Sequence, residues 1–237
     1  MKLNKPKFWD NKKSFISILL FPLSLVVLLF IYLKKKITKT VKFNTPIICV
    51  GNIYLGGTGK TPTSIFLANE LLRLGRKPVI LRKYYKDHSD EYDLIKNQFN
   101  SLILCHNRIN GIKEAEETNF NCIILDDGFQ DYKINKDLNI VCFNENQLVG
   151  NGLVMPSGPL RESLNALSRA DIILINGEKN IYFENKILEL NKDLEIFYSN
   201  YKPSNLDQFK NKKLFAIAAI GNPNNFFKLL EDNGLSI

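Results

Sequence analysis

A glycine-rich segment followed by lysine and threonine is the strongest chemical pattern in the sequence. The segment Gly56-Gly57-Thr58-Gly59-Lys60-Thr61 comes after the apolar run Ile47–Val50 and before a helical pattern, an order typical of a phosphate-binding loop. Glycines let consecutive backbone N–H groups face an anion, and the next helix adds its positive dipole end. We predict that all six residues bind nucleotide phosphates, with Lys60 at the β- and γ-phosphates and the Thr61 hydroxyl on Mg²⁺. The strict pattern has glycine where this chain has Tyr54.

Two adjacent aspartates follow another apolar run. The run Cys122–Leu125 is followed by Asp126, Asp127 and Gly128. On its own, Asp-Asp-Gly is more typical of a turn. At the carboxyl end of a strand beside a phosphate-binding loop, it indicates carboxylates that hold Mg²⁺ directly or through water. We therefore predict a metal site at Thr61, Asp126 and Asp127, and the pattern leaves open which aspartate is the ligand.

These residues need a sheet and crossover helices to position them. Near-continuous apolar runs of this length are typical of strands buried on both faces, and hence of a mainly parallel sheet. Thr63–Leu74 has the apolar spacing of a crossover helix, which Gly75 ends. We predict an α/β, three-layer P-loop NTPase-like domain. The runs predicted as strands are Ile47–Val50, Val79–Leu81, Leu102–Cys105, Cys122–Leu125, Ile140–Phe143, Ile172–Ile175 and Leu214–Ile220.

The N-terminal segment 1–42 differs in composition from the rest of the chain. It holds ten lysines and one acidic residue, so the net charge of +8 belongs to this segment and residues 43–237 are close to neutral. A nucleic-acid-binding protein would spread basic residues over a folded face, so we expect no nucleic-acid partner. Between the lysines, residues 15–33 carry no charge and are long enough for a membrane helix.

Several placements of residues 15–33 remain open. No small-residue cleavage site follows them, as a signal peptide would require. Pro22 is tolerated in a spanning helix but is also compatible with a re-entrant or interfacial element. Five lysines on each side leave the orientation undecided. We predict a membrane anchor whose lysines attract anionic lipid headgroups.

The four cysteines form no Cys-x-x-Cys pair. Three of them, Cys49, Cys122 and Cys142, lie inside or at the start of apolar runs, and Cys105 ends one. We interpret them as small buried side chains that stay reduced in a cytosol.

Several motifs together resemble tetraacyldisaccharide 4′-kinase, the lipid A pathway enzyme of Gram-negative bacteria. They occur in the family's order along the chain, and the ordered set is far more specific than any one of them. The matching segments are 50–53, 56–62, Ser89-Asp90-Glu91, Asp126-Asp127-Gly128-Phe129-Gln130, Gly150-Asn151-Gly152, 156–162, Ile220-Gly221-Asn222-Pro223 and Phe226-Phe227.

The resemblance implies a reaction and roles for individual residues. The family uses ATP and Mg²⁺ to phosphorylate the 4′-hydroxyl of a tetraacylated glucosamine disaccharide 1-phosphate, at the cytoplasmic face of the inner membrane. It implies that Asp90 is the base, that Asp126 and Asp127 serve the metal, and that Arg161 and Glu162 lie at the rim of the active site. Judged from composition alone, Asp90 is one of several acids in a solvated loop.

The chain also departs from the family pattern. After the second strand it has Leu81-Arg82-Lys83-Tyr84-Tyr85, which keeps the family's Arg and Tyr but not its two glycines, and Asp131 stands where the family usually has His. Family members are longer, and their active-site histidine lies in a later region that neither His88 nor His106 matches. We expect an anchor at 1–42, a kinase domain at 43–210, and the incomplete start of a smaller α/β lobe at 211–237.

A second class of function also fits a P-loop protein at a membrane. Partner-binding switch ATPases have a similar loop, but their extra lysine precedes the paired glycines, where this chain has Leu55. We therefore favour the lipid kinase, with ATP and Mg²⁺ as cofactors, the lipid A precursor and membrane lipids as partners, and no obligate protein partner.

Overall fold

A seven-stranded parallel sheet forms the centre of the protein. The computed structural model describes residues 5–11, 13–202, 206–218 and 223–237, with the backbone only at 223–225. In space the strands follow the order β3-β2-β4-β1-β5-β6-β7, and every pairing is parallel. The strands are β1 (Ile47–Gly51), β2 (Pro78–Lys83), β3 (Leu102–Cys105), β4 (Cys122–Asp126), β5 (Leu138–Asn144), β6 (Ile172–Asn176) and β7 (Glu195–Ser199).

Helices connect most of the strands, as parallel pairing requires. The described α-helices are α1 (Phe15–Ile37), α2 (Lys60–Arg73), α3 (Ser89–Gln98), α4 (Arg108–Glu117), α5 (Ile181–Leu188) and α6 (Pro223–Asp232). Helix α2 ends as the sequence predicts: Gly75 has φ +77°, and the N–H of Arg76 bonds to the carbonyl of Leu71. The left-handed conformation of Gly75 lets backbone N–H groups after the helix bond to its last carbonyls.

The two faces of the sheet carry separate hydrophobic clusters. Along β4, Ile123 and Leu125 pack on one face with Ile112 of α4 and Phe183 of α5. On the other face, Ile124 packs with residues of α2 and α3. Side chains on a strand alternate between faces, so burial of consecutive residues requires cover on both sides. The predicted three-layer α/β fold is confirmed.

Six of the seven predicted strand runs are strands in the structure, β1 to β6. The edge strand β7 was not predicted. The seventh run, Leu214–Ile220, was wrongly assigned: residues 214–218 form no strand, and residues 219–220 lie outside the described part. Phe215 and Ile217 are 90% and 76% exposed, because no described strand lies beside them to form a ladder. The sheet lies within the predicted 43–210 domain, whose boundaries stay a prediction.

The N-terminal helix α1 lies against the body of the protein along a narrow stripe. Ser17 and Ser24 are each 1% exposed, and Val27 and Leu28 pack against the larger hydrophobic cluster. Most of the large apolar side chains of α1 point outward instead, and Leu23 is 55% exposed. The 23-residue helix is long and apolar enough to cross a membrane. The two serines therefore face protein, and most of the apolar surface faces outward.

Candidate active site

The predicted phosphate-binding loop connects β1 to α2 at the carboxyl edge of the sheet. Gly56 and Gly57 are exposed, whereas Thr58 is buried. The buried side-chain amide of Asn52 braces the loop from inside by donating to the carbonyl of Gly56 (3.3 Å) and the hydroxyl of Thr58 (3.0 Å). The backbone of the glycines is thus open to a ligand while the loop around them is fixed.

Gly59 must be glycine for two reasons. Its φ is +88°, a left-handed conformation that costs a side-chain-bearing residue energy. A Cβ there would also collide with the side-chain amide of Asn176. Asn176, at the end of β6, donates to the carbonyl of Thr58 (2.6 Å) and accepts from the Ser199 hydroxyl (2.5 Å). The ends of β6 and β7 therefore hold the loop from the opposite side.

Tyr54, the departure from the strict loop pattern, is a structural residue. Its side chain is fully buried, and its backbone forms an isolated antiparallel bridge with Leu160. On either side, the N–H of Leu55 bonds to Pro159 O (2.8 Å) and the N–H of Arg161 bonds to Ile53 O (2.7 Å). The start of the phosphate-binding loop is therefore paired with the segment that carries Arg161.

Asp126 is a fully buried carboxylate at the carboxyl end of β4. The hydroxyls of Thr61 (3.2 Å) and Ser64 (3.1 Å) donate to it from the first turns of α2. Arg82, at the end of the adjacent strand β2, forms an ion pair with it and donates to the Thr61 hydroxyl (3.0 Å). Two residues predicted to serve the metal, Thr61 and Asp126, are thus in direct contact.

Asp127 lies next to two cations in a left-handed backbone conformation (φ +58°). Its carboxylate accepts from Arg161 at 2.9 and 3.1 Å and lies 3.7 Å from the Lys60 ammonium. Burial alone would raise the pKa of Asp127, but Lys60 and Arg161 hold it below its ordinary value. Burial lowers the pKa of Lys60, and the charge of Asp127 partly opposes that effect. The structure thus brings Lys60, Asp127 and Arg161 together.

Asp90 is an exposed residue in the first turn of α3. Its side chain forms no hydrogen bond or ion pair with another residue of the described part, Lys60 and Asp126 included. Its neighbour Glu91 forms an ion pair with Arg82. Through Glu91, the first turn of α3 is connected to the Asp126 cluster.

Two positions near the acidic motif have structural partners. Asp131, which replaces the family's usual His, lies 3.4 Å from Arg108, and Arg108 donates to the backbone carbonyl of Asp127 (2.8 Å). Glu162, which the resemblance implied lies at the rim of the active site, is a buried residue. It is 5% exposed and accepts from Arg169 and from the Tyr132 hydroxyl, both at 2.6 Å. Both contacts are made by one carboxylate oxygen, Oε2, and the other, Oε1, is buried without a hydrogen bond to the described residues.

Sequence reasoning missed three residues that build this site. Arg82 was quoted in a motif without a role, although a charge at the end of an apolar run could have indicated it; β2 and β4 place it opposite Asp126. Asn52 was quoted only as part of a motif. Asn176 gave no signal, because its contact with Thr58 depends on the order of strands in the sheet.

The site combines the elements that phosphoryl transfer requires. An exposed glycine loop and a lysine provide an anion cradle, and Thr61 and Asp126 provide oxygen atoms of the kind that Mg²⁺ prefers. Arg161 adds a second positive charge beside Lys60. Such an arrangement can hold a polyphosphate and stabilise charge on a phosphoryl group in transfer.

Comparisons with known proteins agree with this geometry. A family model described as LpxK, tetraacyldisaccharide-1-P 4′-kinase, matches residues 16–237. The tetraacyldisaccharide 4′-kinase of Pelagibacter ubique is 40% identical over 242 residues, which cover 100% of this chain and 76% of that protein. The enzyme of the same name from Rickettsia bellii is 33% identical over 260 residues, covering 100% of this chain and 78% of that protein. The chain therefore spans about three quarters of the length of these relatives.

A solved structure has the same fold. LpxK from Aquifex aeolicus, described as an "apo" form in complex with ATP, superposes with a TM-score of 0.70 at 24% identity. The match covers 94% of this chain and 80% of that one. Together with the family match, the sheet and its phosphate-binding loop identify the chain as a member of the tetraacyldisaccharide-1-phosphate 4′-kinase family.

Proposed function

We propose that this chain transfers the γ-phosphoryl group of ATP to the 4′-hydroxyl of a tetraacylated glucosamine disaccharide 1-phosphate, a step in lipid A biosynthesis. The observation that carries the proposal is the cluster of Lys60, Asp127 and Arg161 beside the exposed glycine loop. Membership of the 4′-kinase family supports the identity of the acceptor. The family match also disfavours the switch ATPase, because it covers residues 16–237.

The side-chain oxygen atoms beside the end of β4 fit a Mg²⁺ ion that is bound together with ATP. Mg²⁺ is usually bound by one or two carboxylates plus phosphate oxygens and waters, without an all-protein cage. The described residues contain no group of three or more His, Cys, Asp or Glu side chains that could form a cage. Thr61 and Asp126 would hold the ion, with Asp127 beside them. When bound, Mg²⁺ neutralises charge on the phosphates of ATP.

The chain's own residues bind the phosphates, stabilise charge and accept a proton during the transfer. Backbone N–H groups of 56–60 cradle the β-phosphate, and Lys60 and Arg161 stabilise negative charge that develops on the γ-phosphoryl group. Asp127 orients both cations through its contacts. Asp90 accepts the proton of the 4′-hydroxyl as the oxygen attacks phosphorus. Its exposure leaves its carboxylate free for an acceptor that approaches from outside.

The packing of α1 supports an interfacial anchor over a helix that crosses the bilayer alone. Contacts with the body extend from Ser17, bonded to Asn151, to Lys34, which lies over the Tyr132 ring. These residues are about 25 Å apart along the helix, so α1 lies against the body over most of its length. We place the outward apolar face of α1 in the cytoplasmic leaflet of the inner membrane, where Lys34, Lys35 and Lys36 meet anionic headgroups.

Transfer of labelled phosphate tests the proposed reaction directly. With ³²P-labelled ATP, Mg²⁺, detergent and tetraacyldisaccharide 1-phosphate, we expect this chain to form labelled lipid. Lys60→Ala should lower kcat by about 10²–10³-fold, because it removes a preorganised charge from the developing transition state. Hydrolysis of ATP that does not depend on the lipid would instead favour the switch ATPase. Near-normal turnover by Lys60→Ala would refute the role of Lys60.

The role of Asp90 makes a separate prediction. Asp90→Asn should lower kcat strongly and leave the dissociation constant of ATP near the wild-type value, because the residue contacts neither the phosphate-binding loop nor Asp126. The matched control is Asp93→Asn, which removes the charge of another exposed aspartate on the same helix. If Asp90→Asn instead raised the ATP dissociation constant at an unchanged kcat, Asp90 would belong to the nucleotide site.

The Lys60–Asp127 contact predicts a pH dependence. Asp127 favours the charged form of Lys60, so Asp127→Asn should lower the pKa of Lys60 further. Lys60 then loses its proton at a lower pH, and the alkaline loss of nucleotide affinity should move to lower pH than in the wild type. Titration of a fluorescent ADP analogue without Mg²⁺ would measure the midpoint. A midpoint that stays in place or rises would contradict the contact.

A further inference from the structure

Helix α1 contains two serines on its inward face, seven residues apart. Ser17 and Ser24 are each 1% exposed, whereas their neighbours Ile18 and Leu23 are 65% and 55% exposed. Residues seven apart lie on the same side of a helix after two turns. An anchor that only held the protein to lipid would not need hydroxyls that are buried against protein.

The Ser24 hydroxyl bonds to the loop that connects β5 to β6. It donates to the carbonyl of Val154 (2.7 Å), accepts from the N–H of Ser157 (3.1 Å), and lies 2.8 Å from the Ser157 hydroxyl. Val154 and Ser157 are themselves buried. Loss of the Ser24 hydroxyl would leave the buried N–H of Ser157 without this acceptor, while the Val154 carbonyl would keep its bond from the Gly158 N–H (3.2 Å). An unsatisfied buried N–H is far costlier than the loss of an exposed bond.

The same loop is paired with the start of the phosphate-binding loop. Leu160 forms bridges with both Val154 and Tyr54, and the N–H of Met155 bonds to Leu160 O (2.9 Å). The next residue, Arg161, reaches Asp127 with its side chain. Hydrogen bonds and the short backbone segments between them therefore connect Ser24 to the bridge at Tyr54 and to the backbone of Arg161.

The N-terminal segment also bonds to the same loop through Trp9. The indole N–H of Trp9 donates to Pro156 O (3.1 Å), and Trp9 O accepts from the N–H of Asn151 (2.8 Å). The side-chain amide of Asn151 donates to Ser17 (3.1 Å) and to Ser157 O (2.9 Å). The loop is thus held between the N-terminal segment on the outside and the phosphate-binding loop on the inside.

We propose that Ser24 is a positioning residue for phosphoryl transfer. Through Val154 and Ser157 it fixes the loop that aligns the start of the phosphate-binding loop and aims Arg161 at Asp127. Helix α1 is accordingly part of the structure of the active site as well as the anchor. This inference rests on the proposed kinase function for its kinetic consequence, and on geometry alone for its effect on nucleotide binding.

The test compares Ser24→Ala with Leu23→Ala, an exposed neighbour on the same helix, in the full chain in detergent. We expect Ser24→Ala to lower kcat about tenfold or more and to weaken binding of a fluorescent ATP analogue severalfold. Sedimentation with vesicles that contain anionic phospholipid should be unchanged. Leu23→Ala should keep wild-type kcat and nucleotide affinity. In an Arg161→Ala background, Ser24→Ala should lower kcat by a clearly smaller factor, because its effect acts partly through Arg161.

Ser157→Ala removes part of the same contact from the loop side, and tests the inference if Ser24→Ala fails to fold. Wild-type kcat and nucleotide affinity in the folded variants would overturn the inference, as would an effect of Ser24→Ala on vesicle sedimentation alone. A wild-type chain that binds the ATP analogue but transfers no phosphate would overturn the proposed function, while the affinity of Ser24→Ala would still decide the inference.

Discussion

The buried carboxylate of Asp126 is the constraint on which the rest of the site depends. An ionised carboxylate without solvent is costly unless it is paired and hydrogen-bonded. Here Thr61 and Ser64 donate to it from α2, and Arg82 pairs with it from β2. Two elements, α2 and β2, are therefore fixed relative to the end of β4. This arrangement determines where α2 begins, and hence where Lys60 and the glycine loop lie.

A second set of charges is built on that frame. Asp127 follows Asp126 in a left-handed conformation, which turns its carboxylate toward Lys60 and Arg161. Arg161 comes from a distant loop that is paired with the start of the phosphate-binding loop and held by Ser24 of α1. Helix α1 and the nucleotide site are thus parts of one hydrogen-bonded structure. Catalysis on a lipid acceptor would benefit from this connection, since α1, placed in the bilayer as we propose, would orient the site toward the acceptor.

The sequence predicted the parts of this structure that follow from local patterns. Strands β1 to β6 were predictable because both faces of the sheet are covered, so their apolar runs are continuous. Strand β7 was missed although Ile196, Phe197 and Tyr198 favour a strand. Unlike β3 at the other edge of the sheet, it has no buried residue, and Phe197 is 50% exposed. The run from Leu214 was misassigned because an apolar run predicts burial, whereas strand formation also requires a partner. The glycine loop and the paired aspartates were recognisable because their spacing is local.

Contacts between distant segments could not be predicted in the same way. Arg82 faces Asp126 only because β2 and β4 are adjacent, and Asn176 reaches Thr58 only because β6 is near β1 in the sheet. The inward serines of α1 were hidden inside an apolar segment whose composition indicates lipid. The role of Asp90 came from resemblance alone and stays a prediction, since its carboxylate forms no hydrogen bond or ion pair within the described residues.

A double-mutant cycle on Arg82 and Asp126 tests the central role of the buried carboxylate most directly. Urea unfolding of the wild type, Arg82→Met, Asp126→Asn and the double variant gives the coupling free energy of the pair. We expect each single variant to be strongly destabilised, because it leaves a buried partner unpaired. The double variant should be more stable than the sum of the single effects predicts, by about 1–3 kcal/mol. Effects that add to within about 0.5 kcal/mol would contradict the account.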